Sequence, residues 1–367
     1  MKIIFRADAN SNIGMGHVMR CLSIADACRR HDIEAYFIIA DDNPLEIISG
    51  RGFDPYVLNS DYRCMDDELE QWPSDKKADY IVVDSYYVTD SYLKSLKRIL
   101  PYSERKVRII YIDDVFKFPY PVDCLINYNV FAKELFYDEL YRETVVKPKF
   151  VLGPLYTPLR KEYRDIPKRT QTRYIKNVLV STGGADHLHL SLAIADYIEK
   201  RISDNDYKFH ILIGAMNTDR EKISRIAYFS DKIIMHEKVD DMKSLIESCD
   251  LVVSAAGSTL YEVCACGVPL ITYSVADNQI RGGEAFENLE IGVYIGDVRE
   301  TVDMEASSHE SEQLTKVRDD VCQKLFETIK QIENDYKKRV KIGNVMQNLI
   351  DGNGADRIVR EIAKMGK

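Results

Sequence analysis

The residues best suited to chemistry stand in a few glycine-bearing segments. Asn12-Ile13-Gly14-Met15-Gly16-His17 lies between a short apolar run and a helix-period segment whose apolar face is Val18, Cys21, Leu22, Ala25 and Cys28. Glycines at Gly14 and Gly16 permit a sharp turn, and the free amides of a helix start favour an anion. Such a turn carries His17 to the C-terminal edge of a parallel sheet, where folds of this kind keep their ligands. An imidazole titrating near neutrality can take a proton from water, so His17 is a candidate general base. A capping or packing histidine is the alternative.

Two further segments have the chemistry of phosphate loops. In Val180-Ser181-Thr182-Gly183-Gly184-Ala185-Asp186 the glycines can cradle a phosphate or simply make the turn. In Gly257-Ser258-Thr259-Leu260-Tyr261-Glu262 backbone donors, two hydroxyls and a helix dipole favour a pyrophosphate. Glu262, one turn on, has the spacing to reach a ribose diol, although Ser258 and Glu262 could also only cap the helix. Together the loops point to a nucleoside diphosphate. The amides of Asn278 and Gln279 suit sugar hydroxyls and acetamido groups. Asp84, in Asp84-Ser85-Tyr86, and the pair Asp113-Asp114 end apolar runs. Such acids could bind sugar hydroxyls, orient His17, coordinate a metal or cap helices. Spaced acid pairs of the two-carboxylate glycosidase kind are absent, as is a Walker lysine motif, which argues against an ATPase. His187 and His189 read as surface residues, and the eight scattered cysteines, none at C-x-x-C spacing, as reduced packing residues.

These segments need a scaffold, and the chain repeats one pattern twice. Short apolar runs alternate with helix-period segments, which predicts a parallel sheet covered by helices. The first half predicts strands near 3–6, 34–39, 54–58, 80–83, 107–112 and 124–126, with helices near 18–30, 44–50 and 91–100. The second predicts strands near 177–181, 208–213, 232–236, 251–254, 270–273 and 293–295. The expected organisation is a domain over 1–155, a linker over 156–175, a second domain over 176–350 and a last helix over 351–367. A polar, helix-favouring tract begins near Ser311 and runs to Leu349.

The chain has 367 residues, of which 45% are hydrophobic and 30% charged, a globular balance with room for two domains. Fifty basic residues against 59 acids give a net charge of −9, which on average repels nucleic acid and anionic lipid. Neither is an expected partner. No apolar run approaches a membrane span, and Met1-Lys2-Ile3-Ile4-Phe5-Arg6 breaks too early for a secretory signal, so the expected location is the cytoplasm.

Taken together, these segments resemble the UDP-sugar hydrolases of the pseudaminic acid (nonulosonic acid) pathway, which remove UDP from UDP-2,4-diacetamido-2,4,6-trideoxy-β-L-altropyranose. The resemblance runs from Arg6-Ala7-Asp8 and Ile13-Gly14-Met15-Gly16-His17-Val18-Met19-Arg20 through Val83-Asp84-Ser85-Tyr86, Ile112-Asp113-Asp114 and Leu152-Gly153-Pro154. It continues in Thr182 to Asp186, Gly257 to Glu262, Asp277-Asn278-Gln279 and Asp351-Gly352-Asn353-Gly354. The C-terminal motifs are shared with the peptidoglycan-lipid N-acetylglucosaminyltransferases. What the resemblance implies is an α/β protein of the GT-B fold, two Rossmann-like doubly wound domains facing a cleft, with the last helix crossing back to the first domain.

By the same resemblance, His17 activates water for attack at the anomeric carbon. Arg6, Asp8, Gly14, Gly16, Asp84, Tyr86, Asp114, Asn278 and Gln279 bind the sugar side. Gly183, Gly184, Asp186, Gly257, Ser258, Thr259 and Glu262 hold UDP. No metal or cofactor is expected. The partners are a small-molecule UDP-sugar and, potentially, other enzymes of the sugar pathway. The tract from Thr301 to Asp335 departs from the family pattern. Two rival functions use the same fold: a glycosyltransferase taking a UDP-sugar donor, and a non-catalytic nucleotide-sugar binding protein.

Overall fold

The structure, a computed structural model, describes residues 1–10, 12–73, 77–99, 107–184, 186–202, 207–214, 216–299 and 310–366. Ala185 of the second glycine loop, residue 100 of the third expected helix and the 301–309 part of the polar tract lie outside the described residues. The chain divides into two compact units, Met1–Arg164 with Gly352–Lys367, and Asp165–Asp351.

Unit 1 is built on β1 (Lys2–Ala7), β2 (Glu34–Ile39), β3 (Pro55–Val57), β4 (Tyr80–Asp84), β5 (Arg108–Ile112), β6 (Cys124–Asn127) and β7 (Lys149–Leu152). Its helices are α1 (Gly16–Arg30), α2 (Leu45–Gly50), α3 (Met65–Glu68), α4 (Asp90–Ile99) and α5 (Tyr137–Leu140). The strands lie parallel in the order β3-β2-β1-β4-β5-β6-β7. Strands buried on both faces need unbroken apolar runs, as in Tyr80-Ile81-Val82-Val83, where every residue is buried. The strand order reverses direction between β1 and β4, and the crevice at such a switch point is where doubly wound sheets bind ligands. Ala7 pairs with Asp84 at that point, which places the segment after β1 beside the end of β4.

The strand β7 escaped sequence reading. It is an edge strand of four residues with only Val151 buried, and its apolar run, Phe150-Val151-Leu152, is short, follows Lys147-Pro148-Lys149 and stops at Gly153.

Unit 2 repeats the plan with β8 (Asn177–Ser181), β9 (Lys208–Leu212), β10 (Ile233–His236), β11 (Leu251–Ala255), β12 (Leu270–Ser274) and β13 (Val293–Asp297). The order is β10-β9-β8-β11-β12-β13, again parallel. Its helices are α6 (Leu190–Arg201), α7 (Arg220–Phe229), α8 (Met242–Ser248), α9 (Thr259–Cys266), α10 (Asp277–Asn288), α11 (Glu310–Asn334) and α12 (Tyr336–Leu349). The polar tract that matched no family pattern is thus helical from residue 310. Cys322, Leu325, Phe326, Ile329 and Ile332 of α11 repeat at helical spacing and join the buried core of unit 2.

The last helix, α13 (Gly354–Met365), belongs to unit 1. Glycines make its entry possible: a Cβ at Gly352 would stand 1.9 Å from the Tyr163 carbonyl oxygen, and one at Gly354 would stand 2.1 Å from that of Thr157. Ala355, Ile358, Val359 and Ile362 then bury one face of α13. Asp356 completes the contact with α1, accepting from Arg30 at 2.7 Å and lying 3.1 Å from the His31 Nε2.

Candidate functional site

The site in unit 1 grows from one helical face meeting one carboxylate. Residues i, i+3 and i+4 of a helix share a face, and on α1 these are His17, Arg20 and Cys21. All three point at Asp84, the last residue of β4. His17 Nδ1 lies 2.6 Å from Asp84 Oδ1, and Arg20 Nε donates to Asp84 Oδ2 at 2.5 Å. Arg20 Nη2 donates to Oδ1, and the Cys21 thiol donates to Oδ2 at 3.6 Å. Burial alone would raise the Asp84 pKa. The charges of Arg20 and His17 and their hydrogen bonds outweigh it and hold the carboxyl well below the usual carboxylate range.

An ionised carboxylate only accepts, so the contact with Asp84 places a proton on His17 Nδ1. Arg20 Nη2 also stands 3.0 Å from Nδ1, because both donors converge on the same oxygen. The second ring nitrogen, Nε2, makes no hydrogen bond among the described residues. In the neutral ring that nitrogen carries a lone pair, and the imidazole is only 3% exposed. The Tyr86 ring packs edge-on against the imidazole with centroids 4.4 Å apart, which fixes its plane.

Arg20 extends the network beyond Asp84. Its Nη1 donates to Asp114 Oδ2 at 2.5 Å and to the Tyr128 hydroxyl at 2.7 Å. Asn129 Nδ2 donates to the other Asp114 oxygen at 3.0 Å. Asp84, Tyr86 and Asp114 therefore stand together with His17. The neighbouring Asp113 faces inward and is fully buried, accepting from Tyr137 at 2.6 Å and from the Val115 and Phe116 amides. Burial raises its pKa.

The loop before α1 is shaped locally. The Gly14 amide donates to the Asn10 carbonyl at 2.8 Å, with Gly14 at φ +70°, while Asn10 Oδ1 accepts the Asn12 and Ile13 amides. Both Gly14 and Gly16 have open space where a side chain would begin. No side chain caps α1.

Arg6 and Asp8 are placed differently, beneath this loop. Arg6 is fully buried, with Nε and Nη2 donating to the two Glu68 oxygens at 2.8 and 2.6 Å and Nη1 to Asp8 at 2.5 Å. The second Asp8 oxygen accepts the Ala40 amide at 2.7 Å. Their polar atoms are thus spent on tying β1 to α3 and to the end of β2, where they hold the loop from below instead of lining it.

In unit 2 a cavity of about 350 Å³ lies where β8 and β11 end, again the switch point of a doubly wound sheet. It gathers Gly183, Gly184, Asp186, Gly257, Ser258, Thr259 and Gln279 from three separate segments. Thr182 also lines it, 4% exposed, with a buried hydroxyl that has no hydrogen-bond partner among the described residues. Ser258 stands at the N-cap of α9 without a side-chain cap bond. Gln279 anchors itself by accepting the Val275 amide at 2.9 Å. A helix start, the hydroxyls of Thr182, Ser258 and Thr259 and glycine backbone make this cavity suited to an anion.

Asp186 lines the cavity, yet its carboxylate is spent on α6, accepting the Leu190 and Ser191 amides at 2.9 Å each. Glu262 lies in the first turn of α9 and Asn278 is exposed in the first turn of α10; neither lines the cavity. Sequence reading gave no site role to Arg20, Tyr128 or Asn129, and quoted Thr182 only as part of its glycine loop; His187, read as a surface residue, is exposed and also lines the cavity, as Thr182 does. Arg20 had a detectable signal, three residues after His17 on one helix face. Among the described residues, no group of three or more His, Cys, Asp or Glu could hold a metal ion. No helix among them is long and apolar enough to cross a membrane.

Comparison with known proteins fits this geometry. Residues 177–338 match the glycosyltransferase family 28 C-terminal domain. The chain is 28% identical over 262 residues to the UDP-2,4-diacetamido-2,4,6-trideoxy-beta-L-altropyranose hydrolase of Campylobacter jejuni, covering 70% of this chain and 85% of that protein. It is 24% identical over 286 residues to an uncharacterized protein of Methanocaldococcus jannaschii, covering 74% of this chain but only 55% of that longer protein. Among solved structures, Acinetobacter baumannii MurG superposes with a TM-score of 0.61 at 12% identity, covering 99% of this chain and 100% of the other. The chain is thus a GT-B-fold relative of sugar-nucleotide enzymes, with two parallel-sheet α/β domains and a second unit that matches the family 28 C-terminal domain.

Proposed function

We propose that the protein is a hydrolase that cleaves a UDP-linked 2,4-diacetamido-2,4,6-trideoxy sugar to UDP and free sugar, in the making of pseudaminic acid. The observation that carries this reading is His17, a buried imidazole with Nδ1 held by Asp84 and Nε2 left as a base. The activity by which the Campylobacter jejuni relative is named supports the substrate class.

In this mechanism Nε2 takes a proton from water as the oxygen attacks the anomeric carbon. The bond between that carbon and the diphosphate oxygen breaks, and its electron pair leaves on UDP. Asp84 and Arg20 keep the imidazole oriented as it becomes charged. Asp114 and Tyr86 supply the polar and aromatic wall for the sugar. The unit 2 cavity, with Thr182, Ser258 and Thr259, holds the diphosphate and stabilises its charge as the bond breaks. The reaction uses side chains and water only, and its site is the cytoplasm, where nucleotide sugars are made.

The test is UDP release from a panel of UDP-diacetamido sugars. His17→Gln should lower kcat by about two to four orders of magnitude, the range a general base contributes, while UDP still binds. Activity within tenfold of wild type would remove His17 from the mechanism. A second reading, a glycosyltransferase in which His17 deprotonates an acceptor hydroxyl, is favoured by the family 28 match. It predicts slow turnover in water and a large gain on adding acceptor.

A further inference from the structure

Two carboxylates, Asp84 and Asp114, converge on the single guanidinium of Arg20, next to the imidazole that the proposed function uses as a base. A carboxylate beside a histidine favours the protonated ring, and a protonated ring cannot accept a proton from water. Asp84 by itself would therefore orient His17 and at the same time disarm it. Arg20 removes that conflict by its placement.

We propose that Arg20 is a positioning residue that keeps His17 unprotonated and aimed, by matching the charge of Asp84 while tethering that carboxylate to Asp114 and Tyr128. With the imidazole neutral, Asp84, Asp114 and Arg20 together carry one negative charge. Without Arg20 they carry two, one of them the Asp84 carboxylate in contact with the ring. The other titratable groups around this cluster are Cys21 from α1, Tyr86 after β4, Tyr128 after β6, Tyr111 of β5, which feels both Asp84 and Asp114, and Asp113, which adjoins Asp114. Burial pushes the Cys21 thiol and the Tyr128 hydroxyl upward, so neither titrates in the working range of an imidazole.

The geometry also explains why this position is an arginine. One planar fork reaches Asp84 through Nε and Nη2 and reaches Asp114 and Tyr128 through Nη1. A lysine ammonium restores the charge but cannot span those partners at once. Charge and aim are therefore separable by substitution.

The inference rests on the reading of His17 as the base, and its test has a readout apart from activity. In wild type, Arg20→Met and Arg20→Lys, the titration of His17 is followed by NMR of isotopically labelled histidine, beside the pH profile of UDP release. Arg20→Met should move the His17 midpoint, and the acid limb of kcat/KM, upward by about one pH unit, a tenfold change in proton affinity. Arg20→Lys should restore both midpoints to within a few tenths of wild type, yet leave kcat at least tenfold low at every pH. An unchanged midpoint in folded Arg20→Met would overturn the proposal, as would full recovery of kcat in Arg20→Lys. If wild type releases no UDP but the midpoint still moves, the hydrolase reading fails and the charge-matching role of Arg20 stands.

Discussion

Nδ1 of His17 lies 2.6 Å from Oδ1 of Asp84, across a sequence separation of 67 residues. That contact fixes which ring nitrogen is free, and it makes Asp84 the residue on which the chemistry of His17 depends. Asp84→Asn keeps the shape but can donate its amide to Nδ1 and so move the ring proton to Nε2, the wrong nitrogen for a base. The expected outcome is a kcat lower by about two to four orders of magnitude with UDP affinity unchanged, measured by steady-state kinetics and calorimetry. A loss confined to KM would speak against this role.

Thr182 makes a prediction whose two halves have opposite signs. Its buried hydroxyl has no partner among the described residues, an arrangement that costs the free protein on the order of 1 kcal/mol. Thr182→Val should therefore raise the Tm of the unliganded protein slightly and weaken UDP binding by about fivefold to tenfold, about 1 to 1.4 kcal/mol. Calorimetry and thermal melts read both. Equal UDP affinity in the variant would take Thr182 out of the nucleotide site.

Arg6 should behave as a structural residue. Removing its charge in Arg6→Met strands Glu68 and Asp8, both buried, and should destabilise unit 1 by about 3–5 kcal/mol. Arg6→Met combined with Glu68→Leu and Asp8→Asn removes all the stranded charges and should recover part of that loss. Denaturant unfolding measures it. A variant of full stability with raised KM would return Arg6 to the substrate.

Asp356 ties α13 to α1, and its pKa is lowered: burial opposes the charge, while Arg30, Arg164 and His31 outweigh that effect. A carboxylate with a depressed folded pKa contributes stability above its unfolded value, about 3.9, and loses it as pH falls through the folded value. Asp356→Asn should cost about 2 kcal/mol near pH 7 and progressively less below pH 4. The difference in unfolding free energy between wild type and variant, followed with pH, checks the sign.

Much of this was legible in the residues. The parallel sheets announce themselves as apolar runs ending in polar residues, and each glycine loop follows such a run at a helix start. The position of His17 after β1 and the loops at Gly183 and Gly257 were readable because neighbours in sequence make them. What was not readable depends on distant segments meeting. Arg20 gains its meaning only when Asp84 and Asp114, at the ends of β4 and β5, arrive beside α1. Only the resemblance of Arg6-Ala7-Asp8 puts Arg6 on the substrate side, and its partner Glu68 sits in a four-residue helix with no periodic signal. Asp186 lines the cavity as expected of a nucleotide residue, and its second task, accepting the first amides of α6, shows only once α6 is in place. The edge strand β7 offers only the three-residue apolar run Phe150-Val151-Leu152, too short to tell from a loop.

The central claim is that His17 delivers water to the anomeric carbon, and the isotope content of the products tests it most directly. Incubation with a UDP-diacetamido-trideoxy sugar in oxygen-18 water, followed by mass spectrometry, should place the label in the released sugar and leave UDP unlabelled. Label in the β-phosphate of UDP would mean cleavage of the phosphorus–oxygen bond and would contradict the account.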